Sequence, residues 1–403
     1  MTIVIVAAIL MGAFGPTDGF WAKVFNPIFF WFGPSTAGTV YSFGFTLLTS
    51  VLLNFVFGVW ATRVMIRGAI HCKALRNPWL YGGKKEGGAD YKTPAINFVG
   101  NRKKFYTFSC CVIAIVLVFS AVFGVKMDVE FKGGSMITLS YEGDADLDAL
   151  KATIGEELGQ SNLTLQTGAD ISGSQTLTIT LPGSETLTTD QLDGLLTTLN
   201  TQYPDNQFTQ SEVSNVDATI GKEFLLKSVV ALIAACVLIL LYVAYRFRRI
   251  GGLKAGATAV VALLHDMFII FGVFVLLRIP LNGNFIAAML TILGYSINDT
   301  VVIYDRIREN SALFGKKQMG LKELVNLSVN QSFSRSLMTS ITTCLALGVI
   351  CVVSVVYRLD SIYTFAFPLL FGMISGVYST ICIATPLWVD WKMRKKTPSK
   401  KKA

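Results

Sequence analysis

The sequence predicts a polytopic α-helical membrane protein of about eight spans, carrying one α+β domain with a ferredoxin-like strand order outside the membrane. Three observations predict it. The chain of 403 residues is 52% hydrophobic and only 15% charged, with a mean hydropathy of +0.54, whereas a soluble protein carries about 25% charged residues. Apolar runs of membrane-spanning length recur on both sides of a single polar window. That window, residues 125–222, holds four lysines, no arginine and fifteen Asp/Glu, a local charge of −11 in a chain whose net charge is +9. The basic residues therefore flank apolar runs instead of forming a soluble basic domain, which excludes nucleic acid as an expected partner. The seven cysteines lie mostly in apolar runs, none spaced with a His as metal ligands. No metal and no cofactor is expected.

Residues 1–62 read as two spans. The first, Thr2 to Phe14, covers about 20 Å against a hydrocarbon layer of about 30 Å. It is either set in protein surroundings or part of a longer helix. No cleavable signal peptide is expected, because a basic n-region and an Ala-x-Ala site are lacking. Gly15-Pro16 and Gly33-Pro34 break the chain. The aromatic cluster Phe29-Phe30-Trp31-Phe32 between them suits a membrane interface. A full span runs from about Thr39 to Ala61. Residues 63–104 form a basic linker with ten Lys/Arg against Glu86 and Asp90, and its Tyr81-to-Gly88 stretch has flexible composition. Residues 105–124 hold the next span.

Inside 125–222, Val129-Glu130-Phe131 and Met136 to Tyr141 alternate as a strand interrupted by Gly133-Gly134. Leu147–Leu158 is amphipathic and helical. Leu163–Leu165 and Thr176–Leu181 read as strands, Leu187–Leu199 as a second helix capped by Thr188 or Thr189, and Gln207–Val213 as a last strand. The order β-α-β-β-α-β suggests a ferredoxin-like fold. Residues 223–390 supply five more spans: about Phe224–Tyr245, Ala255–Leu277, Asn284–Tyr304, Leu337–Tyr357 and Ile362–Trp388. A basic tail, 391–403, follows. Basic clusters at 246–254, 306–322 and 392–402 alternate with nearly uncharged turns. The positive-inside rule then places both termini in the cytoplasm and the acidic domain outside. Tyr41 to Leu48 repeats in Tyr363 to Leu370 with five of eight positions identical, as in transporters built from bundle repeats.

Chemistry concentrates in α-helical runs that should resist charge. Gly294-Tyr295-Ser296-Ile297-Asn298-Asp299-Thr300 places Asp299 deep in a span, at a cost of roughly 2.5–3.5 kcal/mol on insertion scales. Proton carriage, or pairing with a cation inside the bundle, is the reading that accounts for that cost. The bland alternative is a polar link between helices. Asp266, after Leu263-Leu264-His265, either has a similar role or makes a helix–helix hydrogen bond or a pair with Arg335. His265 would titrate near neutral pH if solvated, although a lone His in a span is more often a packing residue. Arg335 is either an interfacial anchor or the head of a polar stripe with Thr339, Thr342 and Thr343 on one helical face. An Arg335–Asp pair that forms and breaks would be a proton switch. Asn298 beside Asp299 is a supporting polar group. No nucleophile triad, paired-carboxylate hydrolase site or phosphate-binding loop is present, so no enzyme activity is expected.

Leu293 to Thr300, the run to Asp305-Arg306-Ile307-Arg308-Glu309-Asn310, Ser334-Arg335-Ser336, Leu264-His265-Asp266 and Val129-Glu130-Phe131-Lys132-Gly133-Gly134 resemble the SecF family of protein-export membrane proteins. Gly38 to Phe45 and Ala61-Thr62-Arg63 resemble the last two spans of SecD. The chain is thus similar to the C-terminal part of a fused SecDF, in the RND superfamily. The resemblance implies proton-motive-force-driven assistance of preprotein export at the bacterial plasma membrane, with a SecD-like half, the SecYEG channel, SecA, the translocating preprotein and membrane lipids as partners. Asp299 and Arg335 fall on the family's proton-pathway positions, and Asp266 on a recurrent acidic one. Lys132 stands where the family has Thr in Phe-Thr-Gly-Gly, and the large outer domain of SecD is not in this sequence. A small-molecule or lipid exporter of the RND type, or a non-conducting scaffold, is the alternative.

Overall fold

A computed structural model describes residues 2–16, 18–29, 38–72, 96–143, 146–159, 163–169, 175–182, 188–216, 218–357 and 359–394. The predicted interface residues Phe30 to Phe32, the Gly33-Pro34 breaker, the glycine-rich linker at 81–88 and the tail beyond Arg394 lie outside them.

Helices α1 (Thr2–Phe14) and α2 (Phe20–Phe29) precede α3 (Gly38–Leu53), which runs through a π-helical segment, Asn54–Ala61, into α4 (Thr62–His71). Then come α5 (Arg102–Phe123), the short α6 (Val129–Lys132), β1 (Gly134–Tyr141), α7 (Leu147–Leu158), β2 (Thr164–Ala169), β3 (Gln175–Pro182), α8 (Thr189–Gln202) and β4 (Thr209–Val216). The bundle closes with α9 (Ala218–Arg246), α10 (Gly252–Leu276), α11 (Gly283–Gln318), α12 (Leu321–Val356), α13 (Asp360–Ser379), a second π-helical segment, Thr380–Ala384, and α14 (Thr385–Arg394). Among the described residues, seven helices are long and apolar enough to cross a membrane: Val40–His71, Arg102–Phe123, Gly221–Arg246, Gly252–Leu276, Gly283–Phe314, Leu321–Val356 and Ile362–Arg394.

The eighth predicted span, α1, has only 13 residues, and its surroundings explain how so short an apolar helix is accommodated. Val6, Ile9, Leu10 and Phe14 are buried in the main core, against α3, α9 and α11. Its apolar surface therefore faces protein.

The sheet has the order β2-β3-β1-β4, with every neighbouring pair antiparallel. That is the ferredoxin-like arrangement the element order suggests. Alternation puts Ile137 and Leu139 of β1 opposite Ile179 and Leu177 of β3. Together with Leu150, Ile154, Leu195 and Leu199 of the two helices they form a separate core. Thr188 caps α8 in a reciprocal capping box with Gln191.

Two sequence expectations are corrected. Val129-Glu130-Phe131 is a helical turn and not a strand: the Asp128 side chain accepts from Val129 N at 2.6 Å and starts it. Gly133 and Gly134, at φ +83° and +139°, then redirect the chain into β1, a backbone that L side chains resist. Helix boundaries also move. The second span continues ten residues past Ala61 to His71, and α12 begins at Leu321 instead of near Leu337, which leaves Arg335 inside a helix.

Candidate functional site

α11 carries the site and runs beside α10, α12 and α13. Its faces differ in chemistry. Towards α12, the Tyr295 hydroxyl donates to Thr343 Oγ1 at 3.2 Å and lies 3.5 Å from Ser340 Oγ. One turn further, Asp299 is 4% exposed, and its Oδ2 makes no hydrogen bond. On α12, Ser336 is 1% exposed, and its hydroxyl likewise makes none. Arg335, next to Ser336, is exposed and near enough for its charge to act on Asp299. Among the described residues the two do not close to an ion pair within 4.0 Å. Thr339 is exposed, its hydroxyl donating to Arg335 O at 2.9 Å, and Thr343 donates to Thr339 O at 2.9 Å. Asn298 is exposed on the helix surface.

Towards α10 and α13, α11 meets the second carboxylate. Asp266 is fully buried. Its Oδ2 accepts from Ser296 Oγ at 2.7 Å and Ser379 Oγ at 2.7 Å. Its Oδ1 accepts from Ser375 Oγ at 2.6 Å and lies 3.3 Å from His265 Nδ1. Two helices, α11 and α13, thus donate serine hydroxyls to one carboxylate on α10, and no arginine takes part. Of the sequence alternatives for Asp266, the helix–helix hydrogen bond is what forms and a pair with Arg335 is not. His265 also packs on the Tyr378 ring, 5.8 Å between centroids. The cluster depends on a close approach. A Cβ on Gly376 would stand 3.2 Å from Ser296 Cβ, so glycine lets α13 reach α11 there.

The polar seam continues along α11. Thr300 Oγ1 and Thr380 Oγ1 are 2.9 Å apart, at the start of the π-helical segment, whose widened turn is bridged by Thr385 Oγ1 donating to Thr380 O at 2.8 Å. Such π-bulges concentrate at functional sites. Tyr304 and Thr258 hydroxyls lie 2.8 Å apart. At the far end Arg308 meets Asp305 at 2.6 Å and Arg246 lies 3.6 Å from it. There, Asn310 donates to Ser328 Oγ and Gln331 Oε1, each at 2.9 Å.

Of the seven residues singled out from the sequence, Asp266 and His265 are in direct contact, Asp299 on α11 lies within range of the Arg335 charge on α12 without an ion pair, and Thr343 reaches α11 through Tyr295. Thr339 and Asn298 contact neither carboxylate. Ser296, Ser375, Ser379, Thr300 and Thr380 escape a reading of the sequence. The i,i+4 spacing of Ser375 and Ser379, with Gly372 and Gly376 three residues before each, is the signal that marks a close polar helix face.

Helices long and apolar enough to cross a membrane, carboxylates buried inside them and a β-α-β-β-α-β domain inserted between spans define a polytopic membrane protein. Residues 196–394 match the family described as protein export membrane protein SecD/SecF, C-terminal. The protein translocase subunit SecF of Alicyclobacillus acidocaldarius is 34% identical over 75% of this chain and 94% of its own length. The protein translocase subunit SecDF of Bacillus subtilis is 29% identical over 91% of this chain and 49% of its own. The crystal structure of SecDF from Thermus thermophilus superposes with a TM-score of 0.68 at 26% identity, over 98% of this chain and 47% of that one. The chain belongs to the SecF family of protein translocase subunits. It spans nearly the whole of the separate SecF subunits and about half of the fused SecDF proteins.

Proposed function

We propose that the chain is an auxiliary subunit of the Sec protein-export machinery that uses the proton-motive force to assist late translocation of preproteins across the bacterial plasma membrane. Asp299 is the proton carrier and Arg335 its counter-charge. Asp266 is the fixed carboxylate that sets α11 against α10 and α13. His265, Asn298, Thr339 and Thr343 are supporting polar groups. The acidic α+β domain faces outward and both termini the cytoplasm, a reading supported by the positive-inside bias of the basic residues. A SecD-like half completes the bundle, and SecYEG, SecA and the preprotein are the working partners.

One observation carries the reading: Asp299 is buried, has an oxygen with no hydrogen bond, and lies within range of the Arg335 charge without forming an ion pair. Desolvating an unpaired carboxylate is costly, and either a proton or the approach of Arg335 relieves the cost. Two relieved states that differ in helix position are what an energy coupler needs. One charge moved through 100 mV gains about 2.3 kcal/mol, enough to bias a two-state element. Export is measured in membrane vesicles containing the complete translocase, with and without a proton gradient. Asp299→Asn abolishes the gradient-dependent increment while leaving assembly intact. An unchanged increment removes the reading.

A further inference from the structure

The α+β domain is rooted in the bundle by the segment between α5 and β1. Its main chain pairs with the turn that precedes α11. Leu281 N donates to Lys126 O and Asp128 N to Leu281 O, both at 3.0 Å, and Met127 and Leu281 form a parallel bridge. Side chains extend the joint. Asn282 hydrogen-bonds the Asp128 carboxylate, while its Oδ1 accepts from Phe285 N at 3.3 Å as the N-cap of α11. Glu130 Oε2 accepts from Gly283 N at 2.5 Å. Gly283 is the first residue of α11, where an unsatisfied N–H and the positive helix end both favour a carboxylate.

Glu130 therefore belongs to the domain root by sequence and to α11 by hydrogen bond. The root is held on its other side by α9. Phe131 packs on Phe224 at 5.3 Å between centroids, and a Cβ on Gly221 would fall 2.9 Å from the Phe131 carbonyl carbon. Past Glu130 the chain has only Phe131 and Lys132 before the glycine pair that opens β1. Asp299 stands sixteen residues further along α11, about 24 Å at 1.5 Å per residue. A rigid helix that shifts at Asp299 shifts at Gly283 as well. Among the described contacts, the joint at 281–283 is where such a shift meets the root.

We propose that Glu130 is the positioning residue that passes displacement of α11 to the α+β domain, by holding the first turn of α11 against the domain root. This rests on the proton-coupled reading of Asp299. The contact is remote from both carboxylates of the site, so its loss spares them.

Three variants test it in vesicles containing the complete translocase, with export read with and without a proton gradient. Glu130→Ala removes the acceptor. Gly283→Pro removes the donor at the one helical position where proline is favoured, following a residue already extended (Asn282, φ −142°, ψ −168°), so α11 itself is kept. Glu130→Gln keeps an oxygen that accepts from Gly283 N. The expected result is that Glu130→Ala and Gly283→Pro each reduce the gradient-dependent increment roughly fivefold or more, the lower end of site-to-site coupling. Gradient-independent export and chain yield stay unchanged, and Glu130→Gln stays close to the parent. Export by Gly283→Pro equal to the parent overturns the proposal, as does loss in Glu130→Gln equal to that in Glu130→Ala. Asp299→Asn is run alongside. If it loses the increment while Glu130→Ala and Gly283→Pro keep it, the joint alone is disproved. If it keeps the increment, the proton-coupled reading falls and the joint proposal with it.

Discussion

Asp266 and Asp299 are both buried aspartates in neighbouring helices, and they are built for different work. Asp266 has donors on both oxygens, three of them serine hydroxyls at 2.6–2.7 Å. Asp299 has an oxygen with none. Removing the first strands its donors, and removing the second strands nothing. Asp266→Ala is therefore expected to destabilise the bundle by about 2 kcal/mol or more, read as a lower unfolding temperature in detergent. Ser375→Ala costs about 1 kcal/mol, because one of the three serine donors is lost. Asp299→Asn leaves that temperature within the spread of the parent while proton coupling is lost. The hydropathy break at each aspartate makes both visible in the sequence. Their difference is not visible there, since serines cost little in a span and carry no hydropathy signal to say which of them point at a carboxylate.

At the scale of elements, the close crossing of α11 and α13 is the most demanding feature. Even a bare Cβ at Gly376 would stand 3.2 Å from Ser296 Cβ, and the branches of Gly376→Leu would be driven further into that serine. The substitution is expected to separate Ser296 and Ser379 from Asp266 and to reproduce the lower stability of Asp266→Ala, by the same thermal measurement. The root of the α+β domain makes a second prediction. Burial raises the carboxyls of Asp128 and Glu130 above their ordinary values, and for Glu130 the neighbouring Asp128 charge adds to the rise. Backbone N–H groups of Val129 and Gly283, and the Asn282 side chain, oppose it. A carboxyl raised in the fold binds more protons there than in the unfolded chain, so the joint loses stability as pH rises from the ordinary carboxylate range through the raised values. Amide exchange at 126–134 and 281–285, corrected for intrinsic rate, is expected to be slower at pH 5 than at pH 7. Equal protection refutes it.

Element reading from the sequence succeeds where period and length are both strong, as in the long spans and the strands of the sheet. It fails at Val129 to Phe131 because alternation over three residues is weaker than one side-chain cap. It misplaces the start of α12 because Leu321 to Ser336 is polar enough to resemble a loop, yet its small residues, Ser328, Ser332 and Ser336, are buried against neighbouring helices.

For the whole molecule, one asymmetry orders the parts: a charge of −11 confined to residues 125–222 against a net +9 for the chain. Helices on either side of that domain present large apolar residues outward, such as Phe55, Phe57, Leu345 and Val352, as lipid or a companion bundle half requires. The architecture is legible as a whole because charge and hydropathy are long-range patterns. The joint between domain and bundle is not, because it is made of main-chain pairing and one glutamate in a charged window. Proton flux into vesicles containing this chain with the SecD-like half proposed for it, followed with an entrapped pH dye under an imposed gradient, reads the role of Asp299 without the rest of the export machinery. Flux present in the parent, absent in Asp299→Asn and retained in Asp299→Glu is the predicted result. Flux in Asp299→Asn equal to that of the parent would contradict it.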